Sequence, residues 1–593
     1  GALSLAVWCT FARAMGIATA TLLFMAYLLA NGMNLGATIW LAHWSAEKQS
    51  SSAALGSLTV YALLSMGSVI LICCRSLLFR WTSLKVSRDL HIKCLWKVIR
   101  SPMSWLDTTP TGRIVNRFST DMQKIDMDLQ INTSAFIDSI MNFLFSFGVI
   151  ASSMPEVLVL LVPMAYLANK VQRKFRTTAR EVQRLLSVSR SPIFQGLDEA
   201  IVGISSIRAY RKQEYFIEKH WERVGTATRV EFMIVGCNQW INVRLRLISM
   251  MLVAAVAVFV VLQVRVSFLR SLGLAVSGAT AGLALRYATQ LTSNMEGMLQ
   301  QLTQIELCLV ALERATSYSR LESESDLTAP GDAAAEDWPR SGEIAFELVT
   351  MRYRADLPTV LNEISFTIPG GTSVGVVGRT GAGKSSLLQA LFRMCPLDNG
   401  SICIDGVNIW TLGLHTLRRR LAIIPQDPVG FTGSLRFNLD PFNEHSDEAI
   451  RGELAKVQLS AFVASREEGL DFHLTAGGEN LSVGQRQLVC AARAFLRNSR
   501  ILVLDEATAS VDFRTDAFIQ AVLKQEVATR GLTTLTIAHR IDTILGADNV
   551  LVMDKGKAAE FGPTQALAAD PKSMFHTFVH PPKSKGANTS PDA

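Results

Sequence analysis

Apolar stretches close to 20 residues long recur through the first three hundred positions of the chain and then stop. A helix of about 20 apolar residues crosses the ~30 Å hydrocarbon layer of a bilayer, so this recurrence fixes a membrane domain at the N-terminal end. The stretches lie near 17–41, 57–79, 134–154, 155–170, 236–263 and 271–295. Six spans are expected, or five if the third and fourth, parted only by the "SSMPEV" corner, form one. The second half has an ordinary globular mixture, and 593 residues are too many for a single core. The chain therefore reads as a membrane domain followed by a soluble one.

The net charge of +7 sits mainly between apolar stretches, from Arg80 and Lys85 to Arg117 and Lys124, and from Lys170 and Arg173 to Arg223. Such placement marks cytoplasmic loops rather than a nucleic-acid surface, and it puts both ends of the membrane domain in the cytoplasm. The two basic segments are helix-like and read as helices continuing beyond the bilayer. Nine scattered cysteines without metal-like spacing exclude a disulfide framework and a zinc site. The chain opens on Gly1 without the charged start, apolar core and cleavage site of a signal peptide, and it reads as a piece of something longer.

Two spans carry polar stripes. Gln239, Asn242, Arg246 and Ser249 recur at steps of three and four in the fifth, and Arg286, Gln290, Ser293 and Gly297 in the sixth. Each set falls on one helix face. An arginine at mid-bilayer costs at least ~2.5 kcal/mol and usually faces a cavity or a partner. The stripes read as a wetted, basic pathway for anionic cargo. The alternatives are a structural ion pair, such as Arg286 with a carboxylate, or snorkelling to the headgroups.

Residues 317–341, acidic and punctuated by Pro and Gly, read as a linker. Beyond it, Gly378, Arg379, Thr380, Gly381, Ala382, Gly383, Lys384 and Ser385 spell the phosphate loop G-x-x-x-x-G-K-S between an apolar strand and a helix that continues with Ser386. The glycines let the backbone amides approach β- and γ-phosphates at the positive end of the helix dipole. Lys384 adds charge, and Ser385 adds a hydroxyl for Mg²⁺. A second buried strand, "ILVLDEA", delivers Asp505 to the metal shell and Glu506 to a position that polarises a water. Downstream of the phosphate loop, "LSVGQ" places Ser482, Val483, Gly484 and Gln485 at another helix start, a second anion site that one ATP site does not need.

These motifs in order, with Gln426 in "IIPQDP", Asp512 in "ASVD" and His539 in "TIAHR", resemble the nucleotide-binding domain of an ATP-binding cassette transporter. "SPMSWLDTTPTGRIVNRFSTDMQKID", "SRSPIFQGLDEAIVGISSIRAY", "YRADLPTVL" and "SLRFNLDPF" narrow the resemblance to the multidrug-resistance-associated subfamily over nearly the whole chain. The fold implied is a six-span α-helical membrane domain of the exporter type. An α/β P-loop cassette follows, with an antiparallel β subdomain and a helical signature subdomain. The expected divisions are 1–316 for the membrane domain, 317–341 for the linker, 342–580 for the cassette and 581–593 for a tail. The resemblance implies that Tyr353 stacks on adenine, that Gln426 joins the metal site to the membrane domain, and that His539 contacts the γ-phosphate. Ser482, Val483, Gly484, Gln485 and Asp512 are implied to meet ATP held by a partner cassette. The segments around Ser119–Asp126 and Ala209–Phe216 are implied to be the cytoplasmic turning points that dock on cassettes.

Glu506 and the Val483 signature are similar to the second cassette of that subfamily, which makes the chain a C-terminal half whose partner is the N-terminal half of the same transporter. The function implied is ATP- and Mg²⁺-dependent export of amphipathic organic anions, thiol conjugates or metal–thiol complexes, across the plasma membrane or an endomembrane. A nucleotide-gated channel or channel-regulating subunit, and a homodimeric half-transporter, are the competing readings. Two departures bear on this. Ala476 stands where the family usually has glutamate, and Gly297, beside Glu296, stands where conjugate exporters carry tryptophan.

Overall fold

The computed structural model describes residues 16–46, 51–153, 158–265, 278–335, 337–506, 513–538 and 541–580. The chain divides into two compact units: Gly1–Val98 with Thr111–Arg320, and Ile99–Pro110 with Leu321–Ala593.

The first unit is helical throughout its described residues. Its long rods are α1 (Ile17–Ala46) and α2 (Ser51–Ile99). After α3 (Met103–Thr108), which belongs to the second unit, come α4 (Thr111–Ser152), α5 (Leu158–Val202), the short α6 (Ile204–Ala209), α7 (Gln213–Arg265) and α8 (Gly278–Ser319). Four stretches among the described residues, Ile17–Ser45, Ala54–Ile99, Thr111–Ser152 and Gln213–Leu262, are long and apolar enough to cross a membrane. The expected fourth and sixth spans fall on α5 and α8, whose first turns adjoin 154–157 and 266–277, outside the described residues. Helix α8 packs against α4 and α7, and α5 packs against α7. Leu63, Met66 and Met250 are among many large apolar side chains left exposed on these rods, the reverse of a soluble bundle and the pattern that lipid demands.

The first cytoplasmic turning point lies earlier than Ser119–Asp126. Helix α2 ends at Ile99 and α4 begins at Thr111, whereas Arg117–Asp121 and Lys124–Asp128 are π turns within α4. Pro102 and Pro110 explain the shift, because a residue before proline is pushed out of the helical region. Asp121, 2% exposed, accepts from Arg117 (2.6 Å) and from Arg314 (2.5 and 3.1 Å), which ties the first π turn to α8. The second turning point does fall within Ala209–Phe216, at the break between α6 and α7.

In the second unit the strands run, in chain order, β1 (Ile344–Met351), β2 (Leu361–Ile368), β3 (Ser373–Gly378), β4 (Asn399–Ile404), β5 (Val407–Asn408) and β6 (Leu421–Ile424). There follow β7 (Gly433–Ser434), β8 (His473–Leu474), β9 (Ile501–Asp505), β10 (Thr533–Ile537), β11 (Asn549–Asp554) and β12 (Lys557–Pro563). One sheet is antiparallel, in the order β2-β1-β4-β5. The other, β12-β11-β3-β10-β9-β6, is parallel except at its β12 edge. Strand interiors such as Val374–Val377 and Ile501–Leu504 are wholly buried, as a sheet covered on both faces requires. Helices α9 (Lys384–Leu391), α10 (Asp447–Lys456) and α11 (Val483–Leu496) complete the elements used below. Helices α10 and α11 pack together over a core shared with Ala422, Ile424, Leu502 and Leu504 of the parallel sheet, the helical subdomain of the expected fold.

The acidic segment read as a linker is built into this unit from Leu321 on. Glu324 takes both terminal nitrogens of Arg418 (2.8 and 3.1 Å), Trp338 is buried and donates to the Ile404 carbonyl (2.7 Å), and Asp405 accepts from the Arg340, Ser341 and Glu343 amides. The segment Ile99–Pro110 joins the same unit: Arg100 exchanges hydrogen bonds with Glu324 and Ser325, and Met103 packs on the main core.

Candidate nucleotide site

Parallel register brings the candidate residues to one edge. Strand β3 ends at Gly378, β9 ends at Asp505 opposite Ile537 of β10, and β6 ends at Ile424, two residues before Gln426. All four lie at the carboxyl ends of their strands, where parallel sheets gather ligands.

The phosphate loop turns from β3 into α9. A Cβ on Gly378 would come within 2.4 Å of the Met553 carbonyl oxygen, and Gly383 caps α9 at φ +100°. No side chain caps α9, so its leading amides are left for an anion. Lys384, 7% exposed, folds back so that Nζ donates to the Gly378 (2.8 Å) and Arg379 (3.3 Å) carbonyls. Burial lowers its pKa, against the pull of Glu506 and Asp505. Arg379, Thr380, Gly381 and Ser385 are exposed on the loop, while Ala382 and Ser386 are buried beneath it.

Asp505 Oδ1 is buried without a hydrogen-bond partner among the described residues. Burial, then the adjacent Glu506, push its carboxyl above the usual range, with Lys384 opposing. Glu506 has φ +47°, a left-handed backbone that costs a non-glycine residue roughly 1–3 kcal/mol. Its amide donates to the Ile537 carbonyl (2.9 Å), and its carboxylate accepts from Gln426 Nε2 (2.9 Å). The backbone is thus turned so that the carboxylate meets Gln426 at the sheet edge.

The family model of the ABC transporter transmembrane region matches residues 14–280, and that of the ABC transporter matches 361–509. The chain belongs to the ABC transporters. It is 40% identical over 573 residues to ATP-binding cassette sub-family C member 3 of Homo sapiens, covering 96% of this chain and 37% of that protein. It is 39% identical over 581 residues to ATP-binding cassette transporter abc2 of Schizosaccharomyces pombe, covering 97% and 38%. With ABC transporter C family member 3 of Dictyostelium discoideum the identity is 38% over 568 residues, covering 94% and 39%. The chain thus spans little more than a third of the length of the curated relatives it matches.

Tyr353 stands next to the transporter's phosphate loop, half-buried, with its hydroxyl 2.8 Å from Ser386 Oγ. Burial raises its pKa, the Ser386 bond acting the other way. The signature residues start α11. Ser482 caps the helix by accepting from the Gln485 amide (3.1 Å), and the Gln485 side chain accepts from the Ser482 amide (2.9 Å). Val483 is 38% exposed. Asp512, His539 and residues 581–593 lie outside the described residues.

In the membrane unit, Asn242 lines a cavity with Glu296. Arg246, rather than Arg286, takes up a carboxylate: its Nε lies 3.9 Å from Glu296. Gln290 bonds Asn294 (3.2 Å), while Arg286, Gln290 and Ser293 are exposed and Ser249 is half-buried. A Cβ on Gly297 would sit 3.3 Å from Ser139 Oγ of α4, so this position packs closely on a neighbouring helix. Sequence reasoning missed Gln172, which lines the same cavity from α5. The signal available was a pair of amides, Asn169 and Gln172, at the point where the apolar stretch gives way to basic residues.

Proposed function

We propose that the chain is the C-terminal half of a full transporter, a second membrane domain and second cassette, which exports amphipathic organic anions such as glutathione-type conjugates, drugs or metal–thiol complexes at the expense of ATP. The observation that carries this reading is the Glu506 carboxylate, held by Gln426 beside the phosphate loop and the unpartnered Asp505 oxygen.

ATP seats its β- and γ-phosphates on the loop amides from Gly378 to Ser386, and the Lys384 ammonium exchanges the Gly378 and Arg379 carbonyls for phosphate oxygens. Tyr353 supplies the adenine platform. The buried Asp505 oxygen, the exposed Ser385 hydroxyl and the Gln426 amide oxygen fit Mg²⁺, which prefers a few hard oxygen ligands and keeps waters for the rest. When bound, that ion neutralises charge on the phosphate oxygens. Glu506 accepts a proton from the attacking water as the new bond to the γ-phosphorus forms and the bond to the bridging oxygen of ADP breaks. His539 steadies the γ-phosphate.

Ser482, Val483, Gly484, Gln485 and Asp512 meet ATP bound by the first cassette, supplied by the N-terminal half. Closure of the two cassettes around nucleotide shifts the membrane domains between accesses, and hydrolysis releases them. Asn242, Arg246, Ser249, Arg286, Gln290 and Ser293 form the cargo pathway. In inside-out vesicles holding the full-length protein, ATP drives uptake of a glutathione conjugate. Glu506→Gln lowers that uptake about 10²- to 10⁴-fold, the usual worth of a catalytic base. Undiminished uptake in the variant rejects the reading.

A further inference from the structure

Asn242 of the cargo pathway also lines a cavity in the membrane unit whose other polar groups that pathway does not use. Helices α5, α7 and α8 enclose about 110 Å³, lined by Gln172, Asn238, Asn242, Glu296, Gln300 and Gln304, with Leu245 among its apolar walls. The three helices reach it at one level. Gln172 follows the fourth apolar stretch, Asn238 and Asn242 open the fifth, and Glu296 closes the sixth. Since these stretches run alternately inward and outward, all four residues lie toward the cytoplasmic mouth of the bundle.

The lining is rich in amides and contains one carboxylate and no basic residue. Gln172 is 6% exposed, yet its Oε1 has no hydrogen-bond partner among the described residues. A buried acceptor left unpaired is costly, and a donor entering the cavity would recover that cost. Glu296 is 25% exposed at its side chain, and its Arg246 partner is 71% exposed and 3.9 Å away. That is a loose pair at the mouth rather than a locked one. The volume holds a head group only, because sites for whole drug-sized ligands run ~300–1,000 Å³.

We propose that this cavity is a recognition subsite for the protonated amino end of a peptide-type conjugate, with Glu296 as counter-ion and the Gln172 amide oxygen as acceptor for an adjoining N–H. The inference deepens the cargo reading above and rests on it. It makes the transporter discriminate among anions by an amine that most anionic conjugates lack.

The test compares an S-aryl glutathione conjugate with its N-acetylated form, by equilibrium binding to the purified full-length protein in nanodiscs without ATP. The acetylated form is the more anionic, so a purely basic pathway binds it more tightly. The subsite instead makes it bind about tenfold more weakly, the worth of a charge-assisted hydrogen bond. Glu296→Gln closes that gap, whereas Glu296→Asp retains it. Gln172→Leu weakens the free-amine ligand alone. Equal binding of the two ligands, a gap that persists in Glu296→Gln, an equal loss for both ligands in that variant, or no binding of either overturns the inference. The cargo reading has a separate check, ATP-driven uptake of an amine-free anionic conjugate, which stands or fails independently of these results.

Discussion

The second unit has two helix starts among its candidate nucleotide contacts, and they are built in opposite ways. At α9 a left-handed glycine enters the helix, no side chain caps it, and the nearest cation is folded onto its own loop. At α11 a serine and a glutamine satisfy one another's backbone amides in a capping box. The first is a helix start without a side-chain cap among the described residues, open to an anion. The second is a self-sufficient helix terminus, finished without any ligand, that presents Val483 at its surface. A site completed within its own chain must be sensitive to loss of its ligand-directed groups. A site completed by a partner's nucleotide need only be held in shape.

Lys384→Ala tests the open start most severely. With the ammonium gone, ATP affinity of the full-length protein falls about 10- to 100-fold, the worth of charged hydrogen bonds at ~1.5–3 kcal/mol. Titration with a fluorescent ATP analogue measures it. Because the lysine is buried and its pKa is lowered by that burial, the unfolded chain holds its proton more tightly than the folded one. Wild-type stability therefore rises with pH through the alkaline window below the ordinary lysine value, and the variant lacks that rise. An affinity within twofold of wild type means that the loop amides alone hold the phosphates.

Asp505→Asn probes the same edge from its acidic side. Burial and Glu506 raise the Asp505 pKa, so here the folded state holds the proton more tightly. Metal-free protein loses stability as pH rises from the ordinary carboxylate range through the raised value. At pH 7 the amide variant is more stable than wild type by about 1 kcal/mol, discounted for partial exposure, and its apparent Tm no longer responds to Mg²⁺. A lower Tm in metal-free buffer means that the carboxylate has a stabilising partner, and the open-site account fails.

The contrast also explains what could be read from the sequence. Gly378, Lys384, Asp505 and Gln426 are placed by strand ends, and parallel register carries each to one edge, so short motifs sufficed. The capping box is local too, and Ser482 with Gln485 three positions on announces it. The membrane unit is different. Gln172, Asn242 and Glu296 meet only through the packing of three helices drawn from distant parts of the chain, and helix periodicity fixes a face without naming its neighbour. Arg246 therefore took the carboxylate that could have gone to Arg286. The first cytoplasmic turn has a local signal in Pro102 and Pro110, which end α2 ahead of the segment that the resemblance implied. The acidic segment looked like a tether because composition does not reveal that Trp338 has a buried seat.

The smallest effect belongs to the closed start. Ser482→Ala removes the acceptor for the Gln485 amide and costs about 1 kcal/mol, the typical worth of a helix cap. Gln485→Ala removes only the reciprocal bond, to an amide nearer solvent, and costs less. In the two together the cost falls short of the sum, because each bond of the box positions the other. Amide hydrogen exchange at Val483–Arg486 in the absence of nucleotide reads this directly, with faster exchange in both variants and little change at Lys384–Leu387. If α11 exchanges as fast in wild type as in Ser482→Ala, the box does not hold the free helix. Its two side chains would then be reserved for the partner's nucleotide, and the two helix starts would be alike after all.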